Sequence, residues 1–327
     1  MGACLPAPGP SGATASLGAV ASVSSLVYPA SLVQETGQPV DGEWMMPAAV
    51  TVVDDATFVA DTGNDRVLKL DHSGRVLATF DAAVVVGPAL REPMAIASDG
   101  NRLFVANSLA AEVLVLDLSG RVEKVLPLQP ATAGGSVPRP IGVAVTPDGG
   151  LVVSDANNNR VVRLDSEGRI VWTAGSGRRA GGPDGFNVPA GMAVDGAGNV
   201  YVVDTLNGRV VKLSTEGVYL SEFAERGSTA GTLSRPKGVV VDAEGRVYVS
   251  DGMLASVQVF AADGTYLGFI GRRNPADPMS ASIFQAPAGL SLVGDQLLVM
   301  DRFAGLITLL LPDGLSAEGT ALDGEGG

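Results

Sequence analysis

The sequence predicts an all-β fold: a six-bladed β-propeller of four-stranded antiparallel blades, with the ring closed by an N-terminal strand. Three observations predict it. Prolines open a recurring pattern at Pro47, Pro93, Pro140, Pro189, Pro236 and Pro287, 46 to 51 residues apart. A second landmark keeps the same beat at Asp61, Asn107, Asp155, Asp204, Asp251 and Asp301, and a period of this length is that of a propeller blade. Apolar residues make up 46% of the chain but aromatics only 5%, alongside 43 Gly and 20 Pro. The apolar mass is therefore Val, Ala and Leu, which suits many short strands joined by tight turns.

Each repeat reads Pro-x-small-apolar-Val, a polar turn, x-Val-x-x-Asp, a short loop, Arg-Val-x-x-Leu, and a turn ending in Gly. The third copy, PIGVAVTPDGGLVVSDANNNRVVRLDSEGR at residues 140–169, is the fullest. The first spans 47–75 and the fourth 189–217; the second and fifth start at Pro93 and Pro236. The sixth, from Pro287, is the most degraded. A fourth strand-like run follows the Gly, as at 75–80, 169–173 and 265–270. One such sheet cannot bury both faces alone, so six must pack face to face about an axis.

The sixth repeat needs a fourth strand from elsewhere. Residues 31–46 read like a strand end followed by an inter-blade linker, yet no blade precedes them. Residues 26–34 are therefore expected to pair with the sixth blade and lock the ring, removing an exposed edge. The chain divides into a flexible N-terminal tail (1–25), the propeller (26–311) and an acidic C-terminal tail (312–327).

The repeat resembles NHL repeats, and the linker GSGRRAGGPDGFNVPAGMAV at residues 175–194 is similar to their inter-blade stretch. The resemblance covers residues 26–311 and implies the fold far more specifically than the function. It implies a range of roles: protein-interaction platforms, extracellular sensor domains, an amidating lyase and, further off, calcium-dependent lactonases and an antibiotic-cleaving lyase. Some relatives bind single-stranded RNA through a basic face. A formal charge of −13 argues against that role here, because a phosphate backbone needs a basic surface.

Cys4 is the only cysteine, which excludes an intrachain disulfide and a Cys-based zinc site. No apolar run approaches the ~20 residues of a membrane-spanning helix. The mild apolar stretch 13–27 has no Lys or Arg before it, so no complete targeting signal is expected in this chain. Gly2-Ala3-Cys4, followed by a loose Pro- and Gly-rich stretch, resembles the mature start of a bacterial lipoprotein. A free thiol is the plainer reading of Cys4, and a lipid anchor the other. An extracytoplasmic location, periplasmic or cell-surface, is expected.

Catalysis finds little support. The single histidine, His72, falls in the turn Asp71-His72-Ser73-Gly74, away from the converging strands. Small residues two positions after each Pro (Ala49, Ala95, Gly142, Gly191, Gly238, Gly289) are expected to serve close packing at the axis. The positions between are Ala48, Met94, Ile141, Ala190, Lys237 and Ala288, of which only Lys237 is ionisable. A ring so poor in carboxylates suits no Ca²⁺, which takes six to eight oxygens. The repeated Asp, with Arg66, Arg160 and Arg209 five residues later, reads as scaffold. No catalytic residue, metal site or cofactor is expected.

Loops between second and third strands share a face with the inter-blade linkers, and the other turns lie opposite. Those other turns are acidic (Asp54, Asp99, Asp148, Asp195 and Asp242; Asp71, Asp117, Asp165 and Asp263), whereas the linkers are basic. The candidate binding residues are Arg91, Arg139, Arg178, Arg179, Arg226, Arg235, Lys237, Arg272 and Arg273. They are expected to attract an anionic group or an acidic protein segment; alternatively they pair with Asp184, Glu225, Asp277 and the repeat aspartates and leave no patch. The expected function is a noncatalytic interaction or sensor scaffold within a larger assembly. The alternative is a metal-dependent lyase or hydrolase acting in the central channel.

Overall fold

The computed structural model describes residues 31–36 as a backbone strand and residues 43–82, 87–132, 135–271 and 282–311 in full. Both expected tails, and with them Cys4, lie outside the described residues, as do Arg272, Arg273 and Asp277. The described chain forms six four-stranded antiparallel sheets. After a first strand, β1 (Ser31–Thr36), blade 1 runs β2 (Ala49–Val53), β3 (Ala56–Asp61), β4 (Arg66–Leu70) and β5 (Val76–Phe80). Blade 2 is β6 (Pro93–Ser98), β7 (Arg102–Asn107), β8 (Glu112–Asp117) and β9 (Val122–Pro127). Blade 3 is β10 (Pro140–Val145), β11 (Leu151–Asp155), β12 (Arg160–Leu164) and β13 (Ile170–Ala174). Blade 4 is β14 (Pro189–Val194), β15 (Val200–Asp204), β16 (Arg209–Leu213) and β17 (Tyr219–Phe223). Blade 5 is β18 (Pro236–Val241), β19 (Val247–Asp251), β20 (Ser256–Phe260) and β21 (Tyr266–Ile270). Blade 6 is β22 (Pro287–Val293), β23 (Gln296–Asp301) and β24 (Gly305–Leu310).

The outermost strand of blade 6 is β1, which pairs antiparallel with β24 from Ser31 opposite Leu310 to Thr36 opposite Leu306. The N-terminus therefore closes the ring as the sequence predicts, with a strand running two residues beyond the expected 26–34. The six innermost strands touch one another in cyclic order, and β22 meets β2 to complete the circle.

There is no single central core. Six separate apolar slabs each fill one blade-to-blade interface. In blade 4, Val200 and Val202 face blade 3 while Tyr201 and Val203 face blade 5, because successive strand side chains point to opposite faces. Second strands are consequently apolar on both sides, and all five residues of β15 are buried. The outer strand β13 has no fully buried residue. The slab between blades 6 and 1 joins Leu298, Met300 and Leu306 to Val50, Val59 and Leu68.

Close approach at the axis explains the small residues there. A Cβ on Gly142, Gly191 or Gly238 would overlap the carbonyl oxygen of Ala190, Lys237 or Ala288 in the next blade. On Gly289 it would lie 2.5 Å from the Cα of Ala49. The glycines are thus a consequence of six strands converging.

Candidate functional site

A bulge near the start of the inner strand sets the channel lining. In blade 5, Pro236 lies opposite Asp251 and Val239 opposite Val249, so Lys237 and Gly238 face Ser250 alone. A bulge of this kind re-aims the extra side chain, and here it presents Lys237 to the axis. Similar register shifts follow Pro93, Pro140, Pro189 and Pro287. The predicted ring Ala48, Met94, Ile141, Ala190, Lys237 and Ala288 does line an axial cavity of about 110 Å³.

A second cation lines the same cavity that sequence reasoning did not place there: Arg302. It directly follows the sixth repeat aspartate. At that position Thr62 donates its hydroxyl to the Pro93 carbonyl (2.6 Å) and Thr205 to that of Pro236 (3.0 Å), bolting neighbouring blades together. Arg302 replaces this bolt with a guanidinium whose buried Nε has no hydrogen-bond partner. Burial, with Arg302 and Arg235 nearby, pulls the Lys237 ammonium below the usual lysine range, against the pull of Asp251. Burial also lowers Arg302. No carboxylate among the described residues lines the cavity. Among the described residues no group of three His, Cys, Asp or Glu is placed to hold a metal ion, and His72 is an exposed turn residue.

The repeat aspartates are fully buried and fasten linkers to blades. In blades 1, 3 and 4 the Oδ1 of Asp61, Asp155 and Asp204 accepts the backbone N–H of Met45, Arg139 and Asn187 at 2.8, 3.0 and 2.7 Å. Their Oδ2 accepts Arg66, Arg160 and Arg209 Nε at 2.7, 3.0 and 2.8 Å, the pairs expected from the five-residue offset. Burial nonetheless pushes the Asp204 carboxyl up, against these hydrogen bonds. Asp251 and Asp301 have no such arginine. Each accepts four backbone N–H groups, two from the linker and two from the following loop.

Several of the acidic turns are likewise internally satisfied. Asp71 accepts the Ser73 hydroxyl and the N–H groups of Ser73 and Arg75. The Ser73 hydroxyl and these N–H groups hold its pKa at about 2. Asp117, Asp165 and Asp195 cap their turns similarly.

The linker arginines divide. Arg139 Nη2 donates to both carboxylate oxygens of Glu92 at 2.8 and 3.0 Å, joining two linkers, and Arg226 donates to the Leu206 carbonyl. Arg91, Arg178, Arg179 and Arg235 are exposed. None of these four has a carboxylate partner among the described residues. Arg178 also borders a polar cleft of about 510 Å³ with Asn158, Arg160 and Ser176. No described helix is long and apolar enough to cross a membrane.

Fold and site together define a six-bladed β-propeller, closed by its own N-terminal strand, with a cation-bearing axial cavity. Residues 48–317 match the model of the family described as outer membrane protein assembly factor BamB, and the chain belongs to that family. No curated protein matches it. Among solved structures it is similar to virginiamycin B lyase from Staphylococcus aureus, at 14% identity and a TM-score of 0.60 over 85% of this chain and 99% of that one. It is similar to a putative gluconolactonase (17% identity, TM-score 0.62, 87% of this chain and 93% of that one). A luciferin-regenerating enzyme is also similar (13% identity, TM-score 0.60, 88% and 96%). At such identities the likeness shows the fold alone.

Proposed function

We propose that this chain is a noncatalytic interaction subunit of an extracytoplasmic assembly, binding an acidic segment of a protein partner on the linker face around the channel mouth. The observation that carries this reading is the fate of the charges. In a chain of net charge −13, turn-face carboxylates such as Asp71 and Asp165 cap their own turns, while Arg91, Arg178, Arg179 and Arg235 stand exposed on the linkers, which also carry the exposed Asp184 and Glu225. A local field of one sign steers a complementary partner and sets its orientation. Arg272 and Arg273 extend the same set by their linker position. The described role of the family, as a factor in outer membrane protein assembly, agrees with an interaction subunit. The NHL-like repeat agrees with a platform, and Cys4, if acylated, would tether it to a membrane.

A fluorescein-labelled Glu-rich peptide tests the reading by anisotropy. Binding is expected at low salt, weakening at least tenfold as salt rises, and weakening as much again when Arg178, Arg179, Arg272 and Arg273 are all changed to Glu. Equal binding by that variant removes the reading. Intact-mass measurement on native material decides whether Cys4 carries lipid.

A further inference from the structure

The axial cavity combines features that the interaction reading does not use. Its wall is apolar, built from Met94, Ile141, Met192 and Leu290. Two cations, Lys237 and Arg302, line the same space. The nearby carboxylate, Asp251, is saturated: its Oδ2 accepts Ser234 and Arg235 N–H at 2.6 and 2.9 Å, and its Oδ1 accepts Met253 and Leu254 N–H at 3.0 and 3.1 Å. The Lys237 ammonium makes no hydrogen bond among the described residues, and the buried Nε of Arg302 is an unspent donor. Both side chains are half-buried, and two like charges beside an apolar wall, with no carboxylate among the described lining residues, suit an anion between them.

We propose that the axial cavity is a binding site for a short-chain aliphatic carboxylate. The two carboxylate oxygens accept from the Lys237 ammonium and the Arg302 guanidinium, and the alkyl tail lies against the Met94 and Ile141 wall. Size sets the chain length. An apolar cavity of about 150 Å³ admits benzene, so the space here suits about five heavy atoms, the size of propionate. Phosphate or sulfate would leave the apolar wall uncovered, and a neutral amide would leave both cations unpaired. Burial, Arg302 and Arg235 disfavour the charged form of Lys237, and an anion held between Lys237 and Arg302 favours it. Arg178 and Arg179 do not line the cavity, so the site can be tested apart from them, although Arg235 lies near Lys237.

Calorimetric titration of the full chain with sodium propionate, in low-chloride buffer, tests the proposal. Propionate is expected to bind at least tenfold more tightly than propionamide and than inorganic phosphate. Lys237→Met and Arg302→Met, each checked for a native circular dichroism spectrum, are expected to lose tenfold or more. Arg178→Glu/Arg179→Glu is expected to leave propionate binding unchanged, which separates this site from the peptide-binding face. If a Met variant fails to fold, Lys237→Gln and Arg302→Gln replace it, and propionate must still raise the melting temperature of the wild type but not of these variants. Equal binding of propionamide or phosphate, or a folded variant with unchanged affinity, overturns the proposal.

Discussion

Asn107 donates its Nδ2 to Glu112 Oε1 at 2.8 Å, inverting the pair found in blades 1, 3 and 4, where an aspartate accepts from an arginine five residues later. The polarity is reversed but the job is kept. Asn107 Oδ1 still takes the linker N–H of Arg91 (2.5 Å), and its Nδ2 also reaches the Ala89 carbonyl at 3.1 Å. In blades 1, 3 and 4 the arginine reaches linker carbonyls, as Arg160 does to Gln129 and Arg209 to Gly185. Asn107→Asp should therefore destabilise by about 2–3 kcal/mol, placing two carboxylates together and stranding the Ala89 carbonyl. Asn107→Asp/Glu112→Arg should recover most of the loss by restoring the common pair. Urea denaturation of the single and double variants checks this; an additive double variant would show that the pair is not coupled.

Close packing at the axis is tested within one blade. Gly191→Ala drives a Cβ against the Lys237 carbonyl and to 2.9 Å from the Gly238 Cα, both backbone atoms that cannot swing away. Overpacking of this kind costs about 1–3 kcal/mol. Gly196 lies in the following turn with nothing within 4 Å of its added Cβ, so Gly196→Ala should be close to neutral. Equal melting temperatures for the two variants would refute the convergence argument.

The repeated prolines, aspartates and small axial residues were legible in the sequence because each blade must solve the same packing problem, so the solution recurs at a fixed interval. Lys237 was legible because it breaks an apolar series at a known position. Arg302 was not: it sits beside the sixth aspartate in the least regular repeat, where other blades carry Thr62, Ser108, Ala156, Thr205 and Gly252. Nothing in a linear pattern shows that this position borders the axis. The Arg139–Glu92 pair was hidden for a different reason. Its partners sit in two successive linkers, and linker paths carry no hydrophobic periodicity to read.

Acid sensitivity should trace to turn carboxylates. The Asp148 pKa falls from 3.8 to about 2, first through the Arg163 side chain and then through the Thr146 hydroxyl, with burial opposing. A folded-state pKa below the unfolded one gives stability that is present above about 3.8 and lost as pH falls toward 2. Asp204, raised by burial, contributes with the opposite sign. Asp148→Asn should therefore flatten the loss between pH 4 and 2, on the order of that pH window, while leaving Asp204 untouched. Melting temperatures across this range decide it, and an unchanged slope would exclude Asp148 as a contributor.

Ring closure by β1 makes a separate prediction. Deleting residues 1–36 leaves β24 with an unpaired edge along Gly305–Leu310, a run that includes Leu306, Ile307 and Leu309. An exposed apolar edge of this kind recruits other chains. The truncated protein should melt at lower temperature and self-associate in size-exclusion chromatography. A monomer of unchanged stability would mean that blade 6 stands without its N-terminal strand.

Lys237 should also set an alkaline signature. Its ammonium is desolvated and faces Arg302 and Arg235, with Asp251 pulling the other way, so its folded-state pKa lies below the ordinary 10.5. Between those two values the unfolded chain holds a proton that the folded chain has released, and stability rises with pH. Lys237→Met removes the half-buried charge while keeping an unbranched side chain in the channel. It should stabilise the protein at neutral pH by about 1 kcal/mol and abolish the alkaline rise. Adding propionate should stabilise the wild type at neutral pH and lose its effect as Lys237 deprotonates. Denaturation curves for both proteins from pH 7 to 10.5 read this directly, and a wild-type curve parallel to that of the variant would place the lysine charge in water.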